Sequence, residues 1–377
     1  MAKHPGHVDV GVTGGAAEAL SAAASALHSA CLSDEHWGHA QVVELLDADL
    51  TLVDSTTASG ATALHAACHG GDRRVVGLLL ARNADVNALD HSGRSPLTVA
   101  CGRMYGDVVQ RLLRSGADAL RPGARVDAWP LYVAAVNYRW GHTDAEEIVN
   151  MLLLCGAPAD GGLDEQGREH DHAPLHGAAA SGNVGAARQL LGEDGRATVD
   201  RRTHGGGDRT ALHVASSHMQ VSMVQLLLAS GANVRAETSD GHSALREACA
   251  PTHPMADFWA TSRRCDIRAA RAGVVRALLD AGAGVDRADR HGRTPLYASL
   301  WSTHGGGMHV AQLLLVGGAD ANRGDRDGRT PLSEALSGWR VHEHARAVHL
   351  CLVGRRMDAL PRDVWNSHVM PFFDMAE

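Results

Sequence analysis

The chain has 377 residues, of which 45% are hydrophobic, 4% aromatic and 21% charged, and its formal net charge is -8. This apolar content is enough to bury a core, and the negative charge argues against a nucleic-acid binder, which needs basic patches. No apolar run approaches the roughly 18 residues of a membrane-spanning helix. We therefore expect no membrane partner and no nucleic-acid partner, and a cytoplasmic protein that could also enter the nucleus.

Residues 1–17 are polar and rich in glycine, unlike the charged and then apolar plan of a signal peptide. We predict that they form a flexible N-terminal tail. A recurring pattern begins at residue 18 and ends near residue 355, and residues 356–377 form a different, C-terminal segment.

The recurring pattern centres on a Pro-Leu or Ala-Leu pair. The residues that precede these pairs mark repeats 1 to 9, and in chain order they are Ser25, Thr62, Ser95, Trp129, Ala173, Thr210, Ser243, Thr294 and Thr330. The successive gaps are 37, 33, 34, 44, 37, 33, 51 and 36 residues. A nearly constant gap indicates a repeated structural unit, and the two longest gaps require insertions.

Each repeat predicts two helices joined by a turn. A Thr or Ser hydroxyl can cap the first helix, and a proline next to it loses no hydrogen bond. The second helix carries runs such as "VVGLLL", in which Val75, Leu78 and Leu79 form one apolar face. A glycine suited to a left-handed helix ending follows in several repeats: Gly116, Gly231 and Gly318.

With this period and with motifs such as "TALHAAC", residues 18–355 resemble the ankyrin-repeat family. The resemblance implies an all-α solenoid of about nine helix-turn-helix units with β-hairpin loops. It also implies a protein partner on the concave face and hairpin tips, and a structural hydrogen bond from His65, His176 and His213.

Four cysteines, Cys31, Cys68, Cys101 and Cys249, each lie four residues after the leucine of the repeated pair. Neighbouring repeats stack about 10 Å apart, too far for the roughly 5.5 Å between the Cα atoms of a disulfide. We therefore predict that these cysteines are small, buried, unpaired core residues.

The chain lacks the signatures of an enzyme. Its two "THGGG" segments could supply oxyanion-hole amides, but no G-x-S-x-G motif accompanies them, and no phosphate-binding G-x-x-x-x-G-K-[ST] motif is present. The histidines at 342, 344 and 349 do not share one helical face. We predict no catalytic residue, no cofactor and no metal.

Arginine and tryptophan are the residue types most enriched at binding hot spots. The candidates lie at the predicted tips, in repeat 4 and in the insertion of repeat 7. The predicted partner-binding residues are Arg94, Trp129, Tyr132, Arg139, Trp140, Arg209, Phe258, Trp259, Arg293 and Arg329. The alternative for the aromatic residues is that they fold back and cover their own repeat.

The C-terminal segment predicts a short amphipathic helix that starts at a Leu-Pro pair. Its predicted adaptor-binding residues are Leu360, Pro361, Val364, Trp365, Val369 and Phe372. This pattern resembles the opening helix of an F-box, as in ankyrin proteins of poxviruses and other large DNA viruses, and implies a substrate-recruiting adaptor of a cullin-type ubiquitin ligase.

Two alternatives for the C-terminal segment remain open. The first is a SOCS-box-type segment, which also contains a Leu-Pro helix. The second is a helix that only caps the solenoid. In that case the chain would be a scaffold or inhibitor that binds one partner without ubiquitin chemistry.

Overall fold

The computed structural model describes residues 13–32, 36–120, 128–137, 144–161, 172–192, 197–204, 207–249, 267–300, 307–331 and 333. Within these ranges the regular structure is helical, apart from two isolated β-bridges, Thr56–Thr62 and Glu237–Ser243. The expected β-hairpins are therefore reduced to tight turns. The chain divides into two compact units, Met1–Glu169 and His170–Glu377.

The first unit contains repeats 1 to 4. Its helices are α1 (Thr13–Leu32), α2 (His36–Ala48), α3 (Ala63–Gly70), α4 (Arg73–Ala81), α5 (Pro96–Arg103), α6 (Gly106–Arg114), α7 (Pro130–Val136) and α8 (Asp144–Leu154), with a 3-10 helix at Leu50–Asp54 after α2. Helix α1 corrects two expectations, because it begins at Thr13. It therefore includes residues 13–17 of the predicted tail, and Ser25 lies inside a helix rather than at its start.

The second unit contains repeats 5 to 8 and the start of repeat 9. Its helices are α9 (Pro174–Ser181), α10 (Val184–Leu191), α11 (Ala211–Ser217), α12 (Val221–Ala229), α13 (Ala244–Cys249), α14 (Ile267–Asp280), α15 (Pro295–Leu300) and α16 (Gly307–Val316). Repeat 9 begins at Thr330. Its predicted second helix and the segment 356–377 lie outside the described residues.

The first helices of repeats 2 and 3 begin at the caps that the sequence predicts. Thr62 and His65 form a capping box at the start of α3, in which each side chain binds the backbone of the other residue. At α5 the Ser95 hydroxyl accepts a hydrogen bond from the N–H of Thr98 at 3.2 Å. These bonds satisfy N–H groups that lack a partner inside the helix.

The glycines that follow the second helices have the predicted left-handed backbone. The φ angles of Gly116, Gly231 and Gly318 are 87°, 87° and 92°. After Gly116 the chain turns back, and the N–H of Ala117 donates to the carbonyl of Leu112 at 3.0 Å. Glycine allows this ending without the steric conflict that a Cβ atom would introduce.

Alanine, leucine and valine dominate the core of the described residues. On the second helix of repeat 2, Val75 and Leu79 are buried as predicted, whereas Leu78 is half-buried and Val76 is buried in addition. The four predicted core cysteines, Cys31, Cys68, Cys101 and Cys249, are free and buried. Burial raises the pKa of the Cys31 thiol to about 12, so that side chain is an apolar filler.

In repeats 2, 3, 5 and 6, one side chain of the first helix also bonds to the next repeat. Its ring nitrogen or hydroxyl lies 2.8 to 3.1 Å from the carbonyl oxygen that precedes the next helix, in the pairs His65–Arg94, Thr98–Ala128, His176–Arg209 and His213–His242. The predicted structural hydrogen bond of the three histidines is thus present. Burial lowers the pKa of His176 and of His213 to about 4.

Candidate functional site

A tight turn, here called the tip, precedes the first helix in repeats 3, 6, 7, 8 and 9. The tips comprise residues 90–94, 203–204 with 207–209, 238–242, 289–293 and 325–329. In each, the N–H of the first residue donates to the carbonyl of the last at 2.8 to 3.0 Å. Neighbouring tips in the second unit are also linked through the backbone. The N–H of Arg290 donates to the carbonyl of Asp240, and the N–H of Arg326 donates to the carbonyl of His291. The tips therefore form a backbone-bonded row within that unit.

The last residue of a tip is an arginine in repeats 3, 6, 8 and 9. In repeat 3 this residue, Arg94, pairs with the aspartate that opens the same tip. Oδ1 of Asp90 accepts the backbone N–H groups of Ser92 and Arg94, both at 2.9 Å. Oδ2 accepts Nε and Nη2 of Arg94 at 2.9 and 2.8 Å. This two-point contact holds the guanidinium of Arg94 in its own tip.

In repeat 6 the tip arginine points into the protein instead. Arg209 donates from Nη2 to Oγ of Ser217 at 2.7 Å and to Oε2 of Glu247 at 3.3 Å. Its side chain is only 19% exposed. Arg209 is therefore an internal link between repeats 6 and 7.

Glu247 and Asp289 are the two buried acids of a network that joins repeats 6, 7 and 8. Their side chains are 3% and 1% exposed. Nδ1 of His242 lies 2.9 Å from Oε1 of Glu247, and Nη2 of Arg246 lies 3.4 Å from Oδ2 of Asp289. Although burial acts to raise it, the pKa of Glu247 is lowered by the His242 hydrogen bond and by the charges of Arg209 and Arg246.

The network changes which arginine pairs with the aspartate of the tip in repeat 8. Oδ1 of Asp289 accepts the backbone N–H groups of His291 and Arg293 at 2.8 and 2.9 Å, as Asp90 does in repeat 3. Its Oδ2, however, faces Arg246 rather than the arginine of its own tip. Arg293 is exposed, and its guanidinium carbon lies 5.8 Å from the centre of the Tyr297 ring.

The family model described as "Ankyrin repeats (3 copies)" matches residues 27–122, 131–238 and 175–258, which together cover more than half of the chain. The chain belongs to the ankyrin-repeat family. Its all-α repeats are ankyrin repeats, and the chain is a protein-interaction module. Of the helices that the structure describes, none has both the length and the apolar content required to cross a membrane.

Several curated ankyrin proteins are similar to this chain. E3 ubiquitin-protein ligase XBAT33 of Arabidopsis thaliana is 31% identical over 195 residues, which are 52% of this chain and 34% of that protein. Human ankyrin repeat and SOCS box protein 16 is 34% identical over 213 residues, 56% of this chain and 41% of that protein. Mouse protein phosphatase 1 regulatory subunit 27 is 36% identical over 78 residues, 21% and 51% of the two chains. The chain thus spans about half or less of the length of these relatives.

A solved structure, the ankyrin repeat domain of human ASB11, is also similar. It covers 68% of this chain, and the match includes 98% of the solved domain. The TM-score is 0.52 and the sequence identity is 25%. This likeness extends the ankyrin assignment to the arrangement of the helices.

The predicted partner-binding residues fall into three groups. Arg293 and Arg329 are exposed at tips, and Arg94 is about half exposed but paired. Trp129 is 5% exposed and belongs to the core of repeat 4, so a partner cannot contact its side chain in this structure, and Tyr132 is partly buried. The side chain of Arg209 is 19% exposed and bonds to Ser217 and Glu247 inside the protein. The remaining positions lie outside the described residues: Arg139, Trp140, Phe258, Trp259 and the C-terminal set Leu360, Pro361, Val364, Trp365, Val369 and Phe372.

Sequence reasoning missed the buried network, although a signal for it was present. Arg246 occupies the position that His65 and His213 occupy in repeats 2 and 6, and Glu247 takes the place of an alanine or valine. Two charged residues at positions that face a neighbouring repeat indicate a buried ion pair, since an isolated charge would be too costly there.

Proposed function

We propose that this ankyrin protein is the substrate-recruiting arm of a cullin-type ubiquitin ligase. In this proposal the repeats hold the protein to be modified, and the segment 356–377 binds the adaptor of the ligase. The observation that carries the proposal is the similarity, over 195 and 213 residues, to an E3 ubiquitin-protein ligase and to an ankyrin repeat and SOCS box protein.

Two features of the sequence support the same proposal. The Leu360-Pro361 pair starts a segment with the pattern of an adaptor-binding helix, of either the F-box or the SOCS-box type. Lys3 is the sole lysine among 35 basic residues, so the chain offers almost no side chain for the attachment of ubiquitin to itself. Similarity to an ankyrin repeat and SOCS box protein supports the SOCS-box type, whereas the Leu-Pro, acidic and aliphatic pattern supports the F-box type.

A second function has its own support. The similarity to protein phosphatase 1 regulatory subunit 27 favours a regulator that binds one partner protein directly. In that case the segment 356–377 is a cap for the last repeat, because an exposed apolar repeat face needs a cover.

The test compares three versions of the chain as baits in cell lysate: the full chain, a chain that ends after Arg355, and the full chain with Leu360→Ala and Trp365→Ala. Cullin and adaptor are quantified by mass spectrometry, and the thermal midpoint of each version is measured. The ligase proposal predicts adaptor recovery with the full chain alone. Absence of cullin and adaptor from all three, together with a lower midpoint after truncation, would support the cap and the direct regulator.

A further inference from the structure

We infer that the tips of repeats 8 and 9 bind an acidic segment of the partner protein, with Arg293 as the main contact and Arg329 as the second. This inference rests on the proposed role of the repeats in protein binding, and it adds that the segment bound at these tips is acidic. For Arg293 it follows from the way in which repeats 7 and 8 share the carboxylate of Asp289. Arg329 is included because its side chain is exposed and, within the described residues, makes no ion pair, although Asp325 of its own tip accepts its backbone N–H.

The first step is the comparison of two aspartates in equivalent tips. Asp90 and Asp289 each use Oδ1 for two backbone N–H groups. Asp90 then neutralises the arginine of its own tip, Arg94, through Oδ2. Oδ2 of Asp289 is 3.4 Å from Arg246 and 3.9 Å from Nε2 of His242, both from repeat 7. Arg293 is thereby left without the carboxylate that its position would otherwise supply.

The second step explains why Asp289 does not pair with Arg293. Repeat 7 has an arginine, Arg246, at the position where repeats 2, 5 and 6 have a histidine. Where His65 and His213 reach a backbone carbonyl of the next repeat, the longer and charged Arg246 reaches the side chain of Asp289. A buried guanidinium requires a carboxylate, because an unpaired charge in the interior is strongly unfavourable. Asp289 therefore pairs with the buried Arg246 and not with Arg293, whose exposed guanidinium is solvated by water.

The third step concerns the surface that results. Among the residues that the structure describes, no carboxylate lies within ion-pair distance of Arg293 or Arg329, and both side chains are exposed. The ring of Tyr297 lies beneath the Arg293 guanidinium and restricts its motion. The two tips are joined by the hydrogen bond from Arg326 to His291, so the two arginines lie about one repeat spacing apart, on the order of 10 Å.

Charge complementarity then selects the partner. A guanidinium binds a carboxylate through two parallel hydrogen bonds, so a segment with glutamate or aspartate side chains fits both positions. We favour a protein segment over a nucleic acid because the chain is an ankyrin-repeat protein-interaction module. The ion pairs would be partly exposed to solvent and therefore sensitive to salt.

The test uses a fluorescein-labelled Glu–Ser repeat peptide and its Gln–Ser counterpart, with affinity measured by fluorescence anisotropy on the full chain. We expect binding of the Glu peptide alone, and weaker binding as salt increases. Arg293→Ala should reduce the affinity about tenfold, Arg293→Lys less, and Arg329→Ala by a smaller factor. The matched control is Arg276→Ala, which removes an exposed arginine from the second helix of repeat 7 and should leave the affinity unchanged.

The most specific variant is Arg246→His, which restores the histidine found in repeats 2, 5 and 6. We expect Asp289 to pair with Arg293, as Asp90 pairs with Arg94, and the affinity for the Glu peptide to fall about as far as in Arg293→Ala. Unchanged affinity in this variant, equal affinity for the Gln peptide, or tighter binding to a single-stranded oligonucleotide would each overturn the inference. Adaptor recovery depends on residues 356–377, so failure here leaves the test of the ligase proposal unaffected.

Discussion

The tips of repeats 3 and 8 have similar sequences, "DHSGRS" and "DRHGRT", yet the arginine that ends each tip has a different environment. In repeat 3, Arg94 is paired within its own tip, and in repeat 8, Arg293 is exposed while its aspartate is used by the preceding repeat. The difference supports the inference that a residue outside a loop decides whether that loop offers a charge to a partner. In that inference the deciding residue is Arg246, in the first helix of the repeat before.

The largest expected effect tests whether the buried network is an integral part of the second unit. Glu247→Ala should lower the free energy of unfolding by about 3–5 kcal/mol, because it leaves the largely buried guanidinium of Arg209 without its carboxylate and removes a negative charge close to Arg246. Urea denaturation measures this change. The control is Glu237→Ala, which removes an acid that is 30% exposed in the pair with Arg287 and should cost no more than about 1 kcal/mol. Equal losses in the two variants would contradict a buried network.

Acid should destabilise the protein through the histidines that link its repeats. Burial lowers the pKa of His213 in the folded state to about 4, whereas its ordinary value is 6.5. The unfolded state therefore takes up the proton first, so the contribution is complete above pH 6.5 and is lost as the pH falls towards 4. By pH 5 the loss is about 2 kcal/mol for this residue.

The structure supplies a matched variant for this prediction. Thr98 makes the same inter-repeat hydrogen bond in repeat 3 with a hydroxyl that does not titrate in this range. His213→Thr should therefore reduce the loss of stability between pH 7 and pH 5, measured as the denaturation midpoint at each pH. An unchanged pH dependence in His213→Thr would show that other groups dominate the acid response.

A smaller change in stability is expected from replacing either tip aspartate, Asp289 or Asp90, with asparagine. Asp289→Asn should lower the free energy of unfolding by about 2 kcal/mol, because a buried hydrogen bond to a charged group is weakened. Asp90→Asn should cost less than about 1 kcal/mol, since its partner Arg94 has a side chain that is 49% exposed. Thermal denaturation of the two variants gives the comparison, and a larger loss for Asp90→Asn would reverse it.

Arg246→His should change the free energy of unfolding only slightly, although we expect it to reduce the affinity for the Glu peptide most clearly. Nε and Nη1 of Arg246 are buried, and within the described structure they have no hydrogen-bond partner. Arg246→His should therefore raise the free energy of unfolding by about 1 kcal/mol. We expect this gain in stability together with the loss of affinity for the Glu peptide, a combination typical of residues kept for binding rather than for folding. A loss of stability would indicate that the guanidinium is needed for packing.

The repeat pattern was sufficient to predict most of the fold. Caps such as Thr62, the left-handed glycines and the inter-repeat histidines depend on local backbone geometry, which short sequence motifs encode. The start of α1 was predicted wrongly, because Ser25 resembles a cap while the small, helix-favouring residues before it continue the helix to Thr13.

The candidate site was less predictable. The row of tip arginines could be read from the sequence, but whether an arginine pairs within its own tip, as Arg94 does, or with a residue about forty positions away, as Arg209 does with Glu247, could not. Trp129 was a candidate for partner binding or for covering its own repeat, and its burial supports the second alternative, which composition could not select. Such choices are decided by packing between repeats, which no local motif specifies.

The most direct test of this account is an NMR measurement of the arginine Nε–H groups in the wild-type chain and in Arg246→His. The account predicts that the Nε–H of Arg94 is ordered and slow to exchange in both proteins. The Nε–H of Arg293 should exchange quickly in the wild type and become as protected as that of Arg94 in the variant. If Arg293 is already ordered and protected in the wild type, or remains unchanged in the variant, Arg246 does not control the tip of repeat 8.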